Sequence, residues 1–274
     1  MLSRPQFTVA SHVSLEGVGL HTGQPSRLTI SPSERGRIAF VRDGERIPAH
    51  LDAVSRTQRC TTLGSAETGV STVEHLLAAL SAMNVCGADL HLDGPEVPIL
   101  DGSAACFVRL LQGAGLRELP GQRRVLRLNE PVWLEDGLSS LLAVPSERFR
   151  VTTAIEYTHP MVGRQVADII VDPGTFEREI APARTFGFEE ELSELARNGL
   201  ARGGSVDNAV VFLKQHTSSP LRFPDEPVRH KALDVIGDLA LLGARPLVHV
   251  WAIRPSHRLN IEFARLLAAQ GTLA

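Results

Sequence analysis

Val228-Arg229-His230-Lys231-Ala232-Leu233-Asp234-Val235-Ile236-Gly237-Asp238 is the stretch from which the fold reads outward. His230, Asp234 and Asp238 stand at i, i+4 and i+8. Four residues advance about 400° at 3.6 residues per turn, so a helix sets all three on one stripe. The complementary positions Leu233, Ile236, Gly237 and Leu241 are apolar or small and leave the helix no second exterior face. The polar stripe therefore faces a cleft or the interior, where unpaired carboxylates are costly unless a metal ion or a partner compensates them. The periodicity carries this helix over about 225–242.

An earlier stretch has the same character. Val73-Glu74-His75-Leu76-Leu77 opens a helix through Met83 with Val73, Leu76, Leu77 and Leu80 on its apolar stripe, and Ser71-Thr72-Val73-Glu74 reads as a capping box with Ser71 at the N-cap. Each His-bearing helix is followed by an alternating strand, at 88–92 and 247–251, and then by another helix. The first of these carries Phe107, Leu110 and Leu111 and stops at Gly113 and Gly115; the second starts at Ser256. Short strands come before: Phe7-Thr8-Val9, 27–30 and 38–41, broken by Gly17, Gly19, Gly23 and Pro32, and later 125–128, 131–135, 138–144, 149–156 and 166–171, with a further helix over 188–197. Residues 117–124 are polar and turn-rich and read as a linker. The expectation is an α+β fold from an internal duplication. Two similar domains, 1–120 and 125–274, each pack a β-sheet layer on a layer of two main helices, the second with an insert at about 157–182. If the halves pack about a pseudo-two-fold with helix layers together, His75 and His230 meet at the interface, where ligand sites are commonly found.

The bulk properties agree with this. A chain of 274 residues with 43% hydrophobic residues can fill two cores. A net charge of -3 with dispersed arginines offers no nucleic-acid patch, and no run of apolar residues is long enough to span a bilayer. Met1-Leu2-Ser3-Arg4-Pro5 leads into alternation rather than an apolar signal segment, so the cytoplasm is the expected location. Cys60, Cys86 and Cys106 are odd in number and widely spaced, which argues against disulfides and thiolate metal sites. Among 28 cationic residues only Lys214 and Lys231 are lysines. Lys231 adjoins His230, where a compact ammonium suits a phosphate or carboxylate.

Two imidazoles and a carboxylate form the usual ligand set of a hydrolytic zinc site. His230 with the Asp234 and Asp238 stripe, joined by His75, makes a metal-dependent hydrolase the leading reading, and Glu74 beside His75 is well placed to take a proton from water. The same ligand types also form the facial triad of non-haem Fe(II) oxygenases, which have no need of Glu74. His91 and His249 on strands, and His21 and His159 in turns, are given no ligand role.

Six motifs in order, Gly17-Val18-Gly19-Leu20-His21-Thr22-Gly23, Ser71 to His75, Pro98-Ile99-Leu100-Asp101-Gly102-Ser103, Ala183-Arg184-Thr185-Phe186-Gly187-Phe188, Gly203 to Ala209 and Val228 to Asp238, resemble the UDP-3-O-acyl-N-acetylglucosamine deacetylases of lipid A synthesis over nearly the whole chain. The resemblance implies hydrolysis of an acetamide on a UDP-linked, 3-O-acylated glucosamine, with zinc, or Fe(II) as the alternative metal, held by His75, His230 and Asp234. It implies Glu74 as general base, Thr185 as oxyanion donor, Phe186 beside the substrate and Lys231 on the nucleotide sugar. His257, in Pro255-Ser256-His257-Arg258-Leu259-Asn260, matches the position of a protonated imidazole that assists the oxyanion and the departing amine. At a helix start the dipole disfavours that cation, so a carboxylate should stand beside it, and Asp238 is the candidate. Ser256 and Arg258 stand where smaller neighbours are expected, which predicts a narrower or more cationic mouth. The insert, with Val166, Ile169, Ile170 and Val171, would serve as an acyl-chain passage. A monomer touching the membrane surface only through its lipid substrate is expected, with a related nucleotide sugar as the alternative substrate and a non-catalytic sugar-nucleotide binding protein as the remaining reading.

Overall fold

The computed structural model describes residues 5–274; the N-terminal reading of residues 1–4 lies outside them. The first half runs β1 (Pro5–Val9), β2 (Val13–Val18), β3 (Pro25–Pro32), β4 (Ile38–Arg42) and β5 (Glu45–Pro48). A small sheet of β6 (Val54–Arg56), β7 (Thr62–Leu63) and β8 (Val70–Ser71) follows, then α1 (Glu74–Ala82), β9 (Val85–Leu92), α2 (Ala105–Ala114) and β10 (Leu116–Gln122). The second half runs β11 (Val125–Arg127), β12 (Val132–Asp136), β13 (Ser139–Pro145), β14 (Arg150–Glu156) and β15 (Arg164–Ile170). Next come α3 (Pro173–Thr175) with a π-helical turn Phe176–Ile180, β16 (Phe186–Phe188), α4 (Glu189–Arg197), β17 (Val210–Phe212), α5 (Glu226–Ala240), β18 (Arg245–Ile253), α6 (His257–Gln270) and β19 (Thr272–Leu273).

The two large sheets share one wiring. In the first, β9 pairs in parallel with β1 and β4 and antiparallel with β3, while β10, β2 and β5 extend β1, β3 and β4 antiparallel. In the second, β18 pairs in parallel with β11 and β14 and antiparallel with β13, while β19, β12 and β15 extend β11, β13 and β14 antiparallel. The α+β architecture is thus a repeated one. Parallel pairs force crossovers, and α1 and α5 supply them immediately before the central strands β9 and β18.

Alternation fixes which face is dry. Leu28 and Ile30 of β3, Ala88 and Leu90 of β9, and Val248, Val250 and Ala252 of β18 are buried under one continuous core that includes α1 and α5. The two helices pack against each other more extensively than any other pair of helices. Gly237 permits the contact: a Cβ there would lie 2.1 Å from the carbonyl oxygen of Glu74. No helix among the described residues is long and apolar enough to cross a membrane.

Two local expectations fail. Residues 117–122 are strand and not free linker, because β10 pairs antiparallel along β1 with Leu119 buried, which leaves 123–124 between β10 and β11; Pro120 and Gly121, which read as turn residues, sit in an edge strand. The capping box does not form either. Ser71 belongs to β8 and hydrogen-bonds Thr62, Thr72 takes φ +56°, and the N-cap is Val73 with no side-chain cap. Glu74 turns its carboxylate inward instead, accepting the Thr61 backbone N–H at 3.1 Å.

Candidate active site

Where α1 meets α5, the rings of His75 and His230 stand edge to face with centroids 4.9 Å apart. His230 Nε2 lies 3.4 Å and His75 Nε2 3.8 Å from the same Asp234 Oδ1. His230 Nδ1 is 3.1 Å from the Ala183 carbonyl oxygen, so with its N–H donated there, the Nε2 lone pair points into the site. Lys231 Nζ donates to Asp234 Oδ2 at 2.8 Å, while Oδ1 is buried with no partner. An orphaned buried carboxylate oxygen is costly, and a cation between it and two imidazoles removes the penalty. Ligand atoms of His75, His230 and Asp234 all lie within 4.8 Å of one another.

The charge states suit a metal. Burial, then the charge of His230, presses His75 down to about 3, and burial also lowers His230. Burial alone would raise Asp234, but Lys231 and the imidazoles hold it well below the usual carboxylate range. Neutral imidazoles and an ionised carboxylate are the forms that bind metals. The same carboxylate keeps Lys231 charged against the burial that would neutralise it.

Beside these three residues sit a carboxyl and an imidazole, both of which hold a proton to higher pH than usual. Glu74 is 2% exposed and burial pushes its carboxyl up to about 7, against the opposing pull of His257. His257 Nε2 lies 3.8 Å from Glu74 Oε1, and its Nδ1 is 2.9 Å from Asp238 Oδ2. Burial would lower the imidazole, but Asp238 and then Glu74 outweigh it and raise it to about 9. The expected partnership of Asp238 with the helix-start cation is present. Asp238 is itself fixed by Thr61 Oγ1 at 2.6 Å and Asn260 Nδ2 at 2.9 Å.

The loop 183–188 frames the other side. Phe186 stands edge-on to His230 at 6.3 Å between ring centroids. The Thr185 N–H donates to the Gly102 carbonyl at 2.8 Å and its own carbonyl accepts from Val210. Gly102 has φ +82°, and a Cβ there would sit 2.1 Å from the Asn208 carbonyl oxygen, so only glycine fits. Arg184 anchors the loop to the start of α5 by a buried fork onto Glu226, at 2.8 and 3.1 Å. The site thus draws on both halves.

Arg258 turns toward solvent. Its side chain is over half exposed and pairs outward with Glu262 and Asp136, while Ser256 is occupied as N-cap of α6, accepting from the Leu259 N–H. Sequence reasoning overlooked Thr61, Asn260, Glu226 and Glu96. Glu96 is fully buried and accepts from the backbone N–H groups of His21 and Thr22 and from the hydroxyls of Thr22 and Thr72. Only the Gly19 motif gave a signal, since a Cβ at Gly19 would strike the Glu96 carboxylate at 2.3 Å.

Two buried imidazoles, an orphaned Asp oxygen, a carboxylate of raised pKa and an imidazole raised by a second carboxylate form the kind of site that could hold a metal ion, as hydrolases of the general acid–base type do. Residues 6–269 match the family described as LpxC, UDP-3-O-acyl N-acetylglycosamine deacetylase. Proteins named UDP-3-O-acyl-N-acetylglucosamine deacetylase are similar over almost the full length. That of Syntrophotalea carbinolica is 44% identical, covering 96% of this chain and 88% of its own. That of Chlamydia muridarum is 42% identical over 95% and 94%, and that of a Nostoc species 41% over 96% and 98%. The chain belongs to the UDP-3-O-acyl N-acetylglycosamine deacetylase family.

Proposed function

We propose that the chain hydrolyses the N-acetyl group of UDP-3-O-acyl-N-acetylglucosamine to acetate and UDP-3-O-acyl-glucosamine, the committed step of lipid A synthesis, with zinc held by His75, His230 and Asp234. The observation that carries this is the buried, unpartnered Asp234 Oδ1 facing two imidazole nitrogens beside Glu74. A bound zinc ion would polarise the acetamide carbonyl and acidify water, lowering its pKa to about 7. Glu74, poised at about 7, takes the proton of the attacking water. His257, poised at about 9, carries a proton at Nε2 for the departing amine while Asp238 holds its Nδ1–H. The Thr185 hydroxyl donates to the developing oxyanion, Phe186 flanks the sugar, and Lys231 offers its remaining N–H donors to the nucleotide sugar.

The acyl chain is assigned to the insert. Ile169 and Val171 belong to the core, whereas Val166 and Ile170 are exposed; the satellite cluster of Ile155, Val162, Phe188 and Phe212 packs against Phe186, which stands beside His230. We read residues 1–120 and 125–274 as the two duplicated domains of a cytoplasmic monomer.

Acetate release from a UDP-3-O-acyl-N-acetylglucosamine series under anaerobic conditions tests the reading. Turnover abolished by a chelator and restored by zinc is expected. Dependence on dioxygen would favour an Fe(II) oxygenase, and absence of acetate with every acyl length would refute the proposal. Restoration by Fe(II) alone would reassign the metal.

A further inference from the structure

A cavity of about 650 Å³ opens at the far ends of α1 and α5, away from the His75–His230 cluster. Ser81 near the end of α1 lines it, seven residues beyond Glu74 and so about 10 Å along the helix from the catalytic carboxylate. Its floor is apolar, with Ile38, Leu77, Val85 and Ala240. Its polar lining is cationic: Arg35, Arg37, Arg46, Arg123, Arg124 and Arg245 face it, against Asp52 as the one lining carboxylate. That concentration runs against a chain of net charge -3.

The internal partners do not account for these charges. Arg46 is neutralised by Asp89 at 2.7 Å. Arg123 donates to the Asn84 side chain and, at 3.3 Å, to the Ser81 carbonyl; Arg245 donates to the carbonyls of Ser81 and Val171. Capping the C-terminus of α1 explains those contacts, since cations are favoured there. It leaves two neighbouring guanidiniums without a paired carboxylate, and burial together with Arg123 lowers Arg245 to about 10. Arg35, Arg37 and Arg124 have no side-chain hydrogen bond or salt bridge among the described residues; Arg35 only senses Asp89 at longer range. A guanidinium presents a planar fork of donors matched to phosphate oxygens, and the volume lies in the range of small-molecule sites, roughly 300–1,000 Å³.

We infer that this arginine-lined cavity is a second binding site, for a phosphoryl-bearing anion, separate from the deacetylation centre. The phosphate sits among Arg37, Arg123, Arg124 and Arg245, and the apolar floor takes whatever the phosphate is attached to. A soluble phosphate compound and an anionic phospholipid headgroup share this chemistry.

Calorimetric titration of the metal-loaded protein with inorganic pyrophosphate, and flotation with phosphatidylglycerol vesicles, separate the two sources. The variant for both is the triple substitution Arg35→Gln, Arg37→Gln and Arg124→Gln, which removes no internal partner and should leave deacetylation unchanged. Saturable pyrophosphate binding at one site, weakened at least tenfold in this variant and retained in Lys231→Gln, supports a soluble ligand. Vesicle binding without pyrophosphate binding, lost in the same variant, supports a headgroup. No binding of either probe, or binding indifferent to the triple substitution, overturns the proposal.

Discussion

α1 and α5 occupy the same place in two identically wired halves, yet they carry different chemistry. Shifting the sequence by 155 positions lays His75 on His230, Glu74 on Arg229, Ala79 on Asp234, Ala82 on Gly237 and Met83 on Asp238. Of these five pairs only the histidine coincides. At 79/234, 82/237 and 83/238 one helix offers a packing residue where the other offers an acid or a gap, and at 74/229 an acid corresponds to a cation. Ala79 and Ala82 are fully buried apolar contacts, Asp234 and Asp238 are buried acids, and Gly237 is the gap into which the Glu74 backbone fits. Glu74 points inward, whereas Arg229 pairs with Asp225 and stacks over Phe223. A symmetric scaffold thus builds an asymmetric cluster, and neither half contains His75, His230 and Asp234 by itself.

The comparison can be broken most forcefully at Glu74 and Arg229. Glu74→Ala should lower kcat/KM by about 10²- to 10⁴-fold with metal content near normal, because it removes the proposed general base and leaves the proposed ligands in place. Arg229→Ala, at the matching place, should cost about 0.2–1 kcal/mol of stability and leave turnover in place. Steady-state kinetics with metal analysis and denaturant unfolding decide this; equal losses in both would mean the helices are not differentiated as described.

Packing gives the next effect. Gly237→Ala drives a methyl into the Glu74 carbonyl, so a destabilisation of about 1–3 kcal/mol is expected, with loss of activity as α1 is displaced. The reciprocal Ala82→Gly creates no clash and should cost about 0.5–1 kcal/mol from backbone freedom, before the lost methyl packing is added. Thermal unfolding and activity of the pair compare the two directly.

A subtler contrast lies in protonation. His257 is raised to about 9 chiefly because Asp238 outweighs burial, so Asp238→Asn should move the high-pH limb of the kcat/KM profile downward, as the imidazole loses its proton earlier. In metal-free protein, the stabilisation from this cation is fully present below the unfolded value of about 6.5 and is lost as pH rises through about 9. Asp238→Asn should flatten stability across that window. An unaltered limb, with His257 titrating unchanged by NMR, would reject the pairing. The smallest effect is expected at Arg258, whose partners are outward and solvated: Arg258→Ala should leave both the thermal midpoint and KM for the nucleotide sugar close to those of the parent protein.

Much of this was legible because helical spacing is local. The i, i+4, i+8 stripe, the stop at Gly115 and the repeated order of elements follow from short-range rules, and the motif order named the family. The errors have equally physical origins. Ser71 and Glu74 have the right spacing for a capping box, but Thr61, distant on β7's approach, captures the carboxylate, and no local rule foresees that. Residues 117–124 are rich in turn formers, yet β1 offers an unpaired edge that such a segment can complete. Thr61, Asn260 and Glu96 were missed because single polar residues carry no periodic signal; their burial and their partners come from elsewhere in the chain.

The sequence by itself determined which atoms could react and on which helical face they stand, because both depend only on residue identity and a fixed rise and turn per residue. Tertiary structure alone decided their charge states and their company. Burial lifts Glu74, a carboxylate 19 residues away lifts His257, and an orphaned oxygen on Asp234 meets an imidazole 159 positions before it. Those effects depend on distance through space and on exclusion of water, neither of which a linear spacing contains.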